Sequence, residues 1–116
     1  MRRWALAVAL AATPALAVSP AAQEFLEVSK RLEPVQCEKM KLRRALAIAE
    51  VQRDDATAKA LRERFEEINR DKDVTRMERR LAELQPRILD DAGRPRHPED
   101  LDAISAQRRA AYYRCG

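Results

Sequence analysis

Two cysteines, Cys37 and Cys115, offer the clearest chemistry in this sequence. A pair of cysteines in a small exported chain favours one disulfide, because the compartments outside the cytoplasm are oxidising. Free thiols, or a bridge between two copies of the chain, are the alternatives. A disulfide would occupy both thiols, so no soft ligand would remain for a metal ion.

The other polar residues form no recognisable catalytic or metal site. His97 is the only histidine, and Ser105 has no histidine at a spacing that suggests a catalytic triad. Asn69, Asp71 and Asp73 resemble the start of a calcium loop, but the glycine and the closing glutamate of that loop are missing. These three residues are more typical of a capped helix junction. We therefore expect no cofactor, no metal and no enzymatic activity.

The N-terminus has the three parts of a bacterial secretory signal. Arg2 and Arg3 precede an apolar run at 4–12, and small residues follow at 15–17. We predict cleavage after Ala17, with a site near Ala22 as the alternative. The mature protein would then be periplasmic or secreted.

Cleavage of the signal at 1–17 changes the charge balance. The full chain has 23 basic and 19 acidic residues, and loss of two arginines leaves 21 against 19. So small an excess is weak evidence for a nucleic-acid partner, and we expect none. An uncleaved N-terminal membrane anchor is the alternative, since 4–23 carries no charge and about 20 apolar residues can span a bilayer.

The composition predicts an all-α protein. Helix-forming residues dominate, and only two glycines are present. We predict a leader and short helix within 18–34, ended by Pro34, and a helical domain at 35–116 with a proline-rich linker at 93–98. The predicted helices span 23–32, 35–53, 55–69, 73–91 and 98–114.

A polar stretch at 69–73 predicts a break between two helices. Apolar residues before and after this stretch both follow helical spacing, but the two series are out of phase. One long helix with a rotated face is the alternative.

Four helices of alternating direction from residue 35 onward would bring Cys37 and Cys115 to one end of the bundle. Three helices of alternating direction would place the two cysteines at opposite ends of the bundle. They would then be roughly 25 Å apart, at a rise of 1.5 Å per residue. The bond would close a loop of nearly the whole domain and would add about 4 kcal/mol to the free energy of unfolding.

Three surfaces are candidates for recognition. Leu61, Phe65 and Ile68 continue a narrow apolar seam of coiled-coil type that could pair with another helix. Tyr112 and Tyr113 stand beside arginines, a combination favoured at interfaces, although we expect Tyr112 to pack on the bundle near the disulfide. A basic helix face could instead contact anionic lipid or glycan. Its residues are Lys39, Lys41, Arg43 and Arg44.

The segment at 35–70 has Cys37-Glu38-Lys39, a helix, a polar turn at 53–55, and a helix with Leu61 and Ile68. It is similar to a family of small proteobacterial periplasmic helical proteins of uncharacterised function, and this resemblance implies no activity. We therefore expect a non-enzymatic envelope protein that binds an envelope protein or itself, as a chaperone or accessory subunit would. The alternative is a binder of anionic envelope lipid or glycan through the basic helix face.

Overall fold

The computed structural model describes residues 18–116, and the predicted signal at 1–17 lies outside them. These residues form four α-helices joined by short connections. The helices are α1 (Pro20–Val51), α2 (Asp55–Arg70), α3 (Lys72–Ile88) and α4 (Pro98–Cys115). Over 18–116 the only β-type pairing is an isolated bridge between Leu89 and Pro95. The predicted all-α fold with about four helices is confirmed.

The first helix is longer than the sequence predicted. Ser19 caps its N-terminus and Pro20 occupies the first turn, where a proline needs no hydrogen-bond donor. Pro34 lies inside α1, so the predicted end of a short helix at this residue is wrong. A proline inside a helix costs about 3 kcal/mol, but burial of Leu32 before it and Lys39 after it holds both halves in one helix.

The predicted break at 69–73 is confirmed at Asp71, which has extended backbone geometry. The Asp71 carboxylate accepts hydrogen bonds from the backbone N–H groups of Asp73 and Val74, at 2.9 and 3.1 Å. Asp54 caps α2 in the same way through Thr57. Short polar side chains at these positions satisfy the free donors of a helix start, which is why both helices begin there.

Both α2 and α3 run antiparallel to α1, one after the other. Arg62 of α2 contacts Glu50 near the end of α1, whereas Arg80 of α3 contacts Glu24 near its beginning. The predicted alternation of helix directions is therefore wrong, because α3 continues along α1 in the direction of α2. A single non-helical residue between them is shorter than the 2–5 residues of a helical hairpin loop.

The last helix returns parallel to the first half of α1. Asp100, Gln107 and Arg114 of α4 contact residues of α1 and its cap that lie 81 positions earlier. A constant separation means that both helices advance together at the same rise per residue. At the end of this register Cys37 and Cys115 form a disulfide, with Cα atoms 5.5 Å apart. The predicted intramolecular bond is confirmed, although a different topology brings the cysteines together.

Two regions share α1. We call its first half (20–37), together with α3 and α4, the body. We call its second half (38–51), together with α2, the arm. The core of the body is a cluster of buried side chains from three helices, namely Ala22, Leu84, Ile88 and Ile104. Over 18–116 no helix is both long and apolar enough to cross a membrane.

Candidate functional site

A cleft of about 360 Å³ lies in the body beside the disulfide, between α1, α3 and α4. Phe25 and Leu32 of α1, Leu81 of α3, and Ala111 and Tyr112 of α4 form most of its apolar wall. The disulfide forms part of the wall where α4 ends. The volume is at the lower end of the range of roughly 300–1,000 Å³ that is usual for small-molecule sites.

The cleft exists because α4 has no bulky apolar side chain in the two turns that follow Ile104. Ile104 is the one buried apolar residue of this helix and belongs to the core with Leu84 and Ile88. One and two turns later the helix presents Gln107, Arg108 and Ala111. These residues are polar or small, so the space between α3 and α4 is left unfilled.

A buried polar contact fixes the beginning of α4. Asp100 is fully buried, and its carboxylate accepts hydrogen bonds from the Ser19 N–H at 2.8 Å and the Ser19 hydroxyl at 2.6 Å. The sequence alone did not indicate the contact between Asp100 and Ser19. The sequence Ser19-Pro20, typical of a helix start, is the signal that could have located the partner.

Two further polar contacts hold the middle and the end of α4. The Gln107 side-chain amide donates to the Leu26 carbonyl at 2.9 Å. Arg114 donates two hydrogen bonds, at 2.6 and 2.8 Å, to the Glu33 carboxylate. The hydrogen bond from Arg114 lowers the pKa of Glu33 below its usual value. Polar contacts and the disulfide therefore attach α4 to α1 along its whole length.

The apolar seam predicted to bind a partner is occupied inside the molecule. Ala58 and Ile68 are 3% and 6% exposed, and the Phe65 ring lies under Lys39 and Arg43 of α1, at 5.8 and 5.4 Å from its centroid. Leu61 is half-buried on the same helix. Because α1 already covers part of this seam, its use by another chain stays a prediction that rests on the half-buried Leu61 and Phe65.

The four residues of the predicted basic face do not form one surface. Lys39 is 6% exposed and pairs with Glu78 at 2.9 Å, and Arg43 contacts Phe65. Lys41, Arg43 and Arg44 are exposed and form no ion pair in residues 18–116. The basic residues thus serve partly to hold α2 and α3 on α1.

Arg64 links α2 to α1 on the outside of the arm. It donates to Glu38 at 2.6 Å, and this hydrogen bond lowers the pKa of Glu38 and raises that of Arg64. Both side chains are about half exposed. Such pairs position two helices but contribute little to the free energy of unfolding.

Four of the five large exposed apolar residues of 18–116 lie at the arm tip and at the end of α4, and the fifth is Leu101. Ile48 and Val51 are 57% and 84% exposed next to the α1–α2 turn, a feature that the sequence reading missed. Tyr112 and Tyr113 are 58% and 79% exposed, with ring centroids 5.7 Å apart. Tyr112 lines the cleft, as expected near the disulfide, but more than half of it faces solvent.

Within residues 18–116, no three His, Cys, Asp or Glu side chains are placed to hold a metal ion. The chain matches no protein-family model, and no curated protein or solved structure is significantly similar to it. The resemblance over 35–70 to a periplasmic family therefore stays a prediction.

Proposed function

We propose that this protein is a non-enzymatic exported helical protein that binds a second protein chain through its arm, and that this chain is a second copy. The observation that carries the proposal is the exposure of Ile48 and Val51 at the arm tip. Large exposed apolar side chains beside one another are typical of interaction sites. The disulfide is compatible with an oxidising compartment, in which an exported protein would work.

The shape of the arm favours pairing with another helical pair. Each of its two helices buries one face against the other, and Leu42 and Leu46 of α1 are only half-buried. Two arms side by side would form a four-helix bundle and cover these residues. A twofold axis would require only one self-complementary surface on each chain.

Charge on the outside of the arm supports a second copy as the partner. Lys41 and Arg44 are exposed on α1, and Glu63 and Glu66 are exposed on α2. None of the four makes an ion pair with another residue of 18–116. A twofold pairing would place the basic side of one arm against the acidic side of the other, which favours the correct partner and orientation.

Sedimentation velocity over a range of concentrations tests the proposal on the chain purified from the periplasm of an expressing bacterium. We expect a dimer, and we expect Ile48→Ser with Val51→Ser to weaken it by at least about tenfold, equivalent to 1.4 kcal/mol. The control is Leu101→Ser, an exposed apolar residue of α4 that lies in the body.

A charge exchange then identifies the surface. Lys41→Glu with Arg44→Glu should weaken the dimer, and mixing this variant with Glu63→Lys, Glu66→Lys should restore pairing as a heterodimer. A wild-type chain that stays monomeric at every concentration would refute the proposal. So would a dimer that only Leu101→Ser disrupts.

A further inference from the structure

The cleft beside the disulfide carries a second, independent inference. Its wall is apolar where α1 and α3 meet, with the half-buried Phe25 and Leu81 facing the open space between α3 and α4. Leu32 is nearly fully buried from solvent. A preformed apolar space with a few polar groups at its edge is the usual form of a small-molecule site.

The charge at the cleft is positive. Glu33 is the only acidic side chain in its wall, and Arg114 holds that carboxylate in a two-bond pair. Arg108 also lines the cleft, is exposed, and forms no ion pair with another residue of 18–116. One guanidinium is therefore free to bind an anion, and this group is well suited to a carboxylate.

We propose that the cleft binds the carboxylate of a free medium-chain fatty acid at Arg108, with the acyl chain lying against Phe25 and Leu81. The volume of about 360 Å³ suits one small amphiphile, since it is at the lower end of the range for ligand sites. Ser29 and Tyr112 also line the cleft and offer hydroxyl groups. The disulfide attaches the end of α4, which carries Arg108 and one wall of the cleft.

Displacement of dansyl-undecanoate from the purified chain tests this proposal, with competitors below their micellar concentrations. Laurate should displace the probe more strongly than dodecanol, which has the same chain without the charge. Arg108→Gln should weaken laurate binding by about tenfold, a change of 1.4 kcal/mol, and leave dodecanol binding unchanged. Arg109→Gln is the matched control, because Arg109 is the exposed neighbour that does not line the cleft.

Two cavity-filling variants test where the acyl chain lies. Leu81→Trp and Ala111→Leu should each weaken both laurate and dodecanol by at least about tenfold, and thermal melting shows which variant keeps its fold. Ala111→Leu is the smaller change and provides the test if Leu81→Trp does not fold.

Three results would overturn the fatty-acid site. The first is equal binding of laurate and dodecanol. The second is equal laurate binding by the Arg108→Gln and Arg109→Gln variants. The third is a folded cavity-filling variant that binds laurate as the wild type does. Probe release only by vesicles of anionic phospholipid would also contradict it, because it would indicate a membrane surface as the ligand. The Ile48→Ser, Val51→Ser variant should bind laurate normally, so that this proposal and the arm proposal fail separately.

Discussion

The two halves of α1 belong to regions that are held together by different means. In the body, α4 is attached to α1 by a disulfide, a buried Ser19–Asp100 contact and an arginine–carboxylate pair. In the arm, small buried residues such as Ala58 pack on α1 between ion pairs that face solvent. The body is therefore held together by a covalent bond and specific polar contacts, whereas the arm is held together mainly by a narrow apolar seam.

This difference fits the separate roles that we propose for the two regions. A two-helix arm with exposed ion pairs opens more easily than a cross-linked three-helix body, because local stability follows the buried contacts of each region. Regions of low local stability adapt readily to a partner, and the exposed Ile48 and Val51 lie in this one. The cleft needs fixed walls, and it lies in the body beside the disulfide.

Removal of the disulfide should have the largest effect on stability. It should also reduce the difference in local stability between the body and the arm. The double variant Cys37→Ser, Cys115→Ser should lose about 4 kcal/mol of unfolding free energy, because the bond closes a long loop in the unfolded chain. Urea denaturation followed by circular dichroism measures this loss. Hydrogen exchange should show that α4 loses protection most, since its remaining attachment is mainly polar. Equal loss of protection in α2 and α4 would contradict the separate attachment of α4.

Loss of the buried polar contact should have an intermediate effect, confined to the body. Asp100→Ala should cost about 2 kcal/mol, because the N–H and hydroxyl of Ser19 would lose their acceptor in a buried site. Urea denaturation measures the change. Asp102→Ala is the control on the exposed side of α4.

In the arm, Glu50→Ala removes an ion pair in which both side chains are more than half exposed. We expect no resolvable change in the free energy of unfolding.

Local signals in the sequence predicted where the last three helices begin. Asp54, Asp71 and Pro98 each begin a helix as their chemistry requires, because capping depends on a few neighbouring residues. The two cysteines predicted the disulfide for a similar reason, since compartment and number restrict the choice.

Long-range packing was not predictable in the same way. The continuity of α1 through Pro34 depends on burial of residues on both sides, which no local rule contains. The direction of α3 and the occupation of the seam at Phe65 depend on which helix lies opposite. The cleft arises from missing bulk at Gln107 and Ala111, and it becomes visible only when the position of α3 is known.

Acidification should have a gradual effect that is smaller than those of the two body variants, and it should act on both regions. Arginine partners lower the pKa of Glu24 and Glu33 in the body and of Glu38 in the arm. In the unfolded chain, the pKa of a glutamate side chain is about 4.3, as in a model peptide. Each lowered pKa therefore adds stability that is present above about pH 4.3 and is lost as the pH falls through the folded value. Urea midpoints should thus fall gradually below about pH 5.

A single variant assigns part of this pH dependence to the attachment of α4. Glu33→Gln should be less stable than the wild type at pH 7 but should lose less stability on acidification, because its side chain no longer binds a proton. Glu27→Gln is the control, since Glu27 is an exposed residue of the same helix and forms no ion pair within 18–116. If the two variants follow the same pH profile, the Glu33–Arg114 pair does not stabilise the body. The polar attachment of α4 would then depend on Asp100 and Gln107 alone.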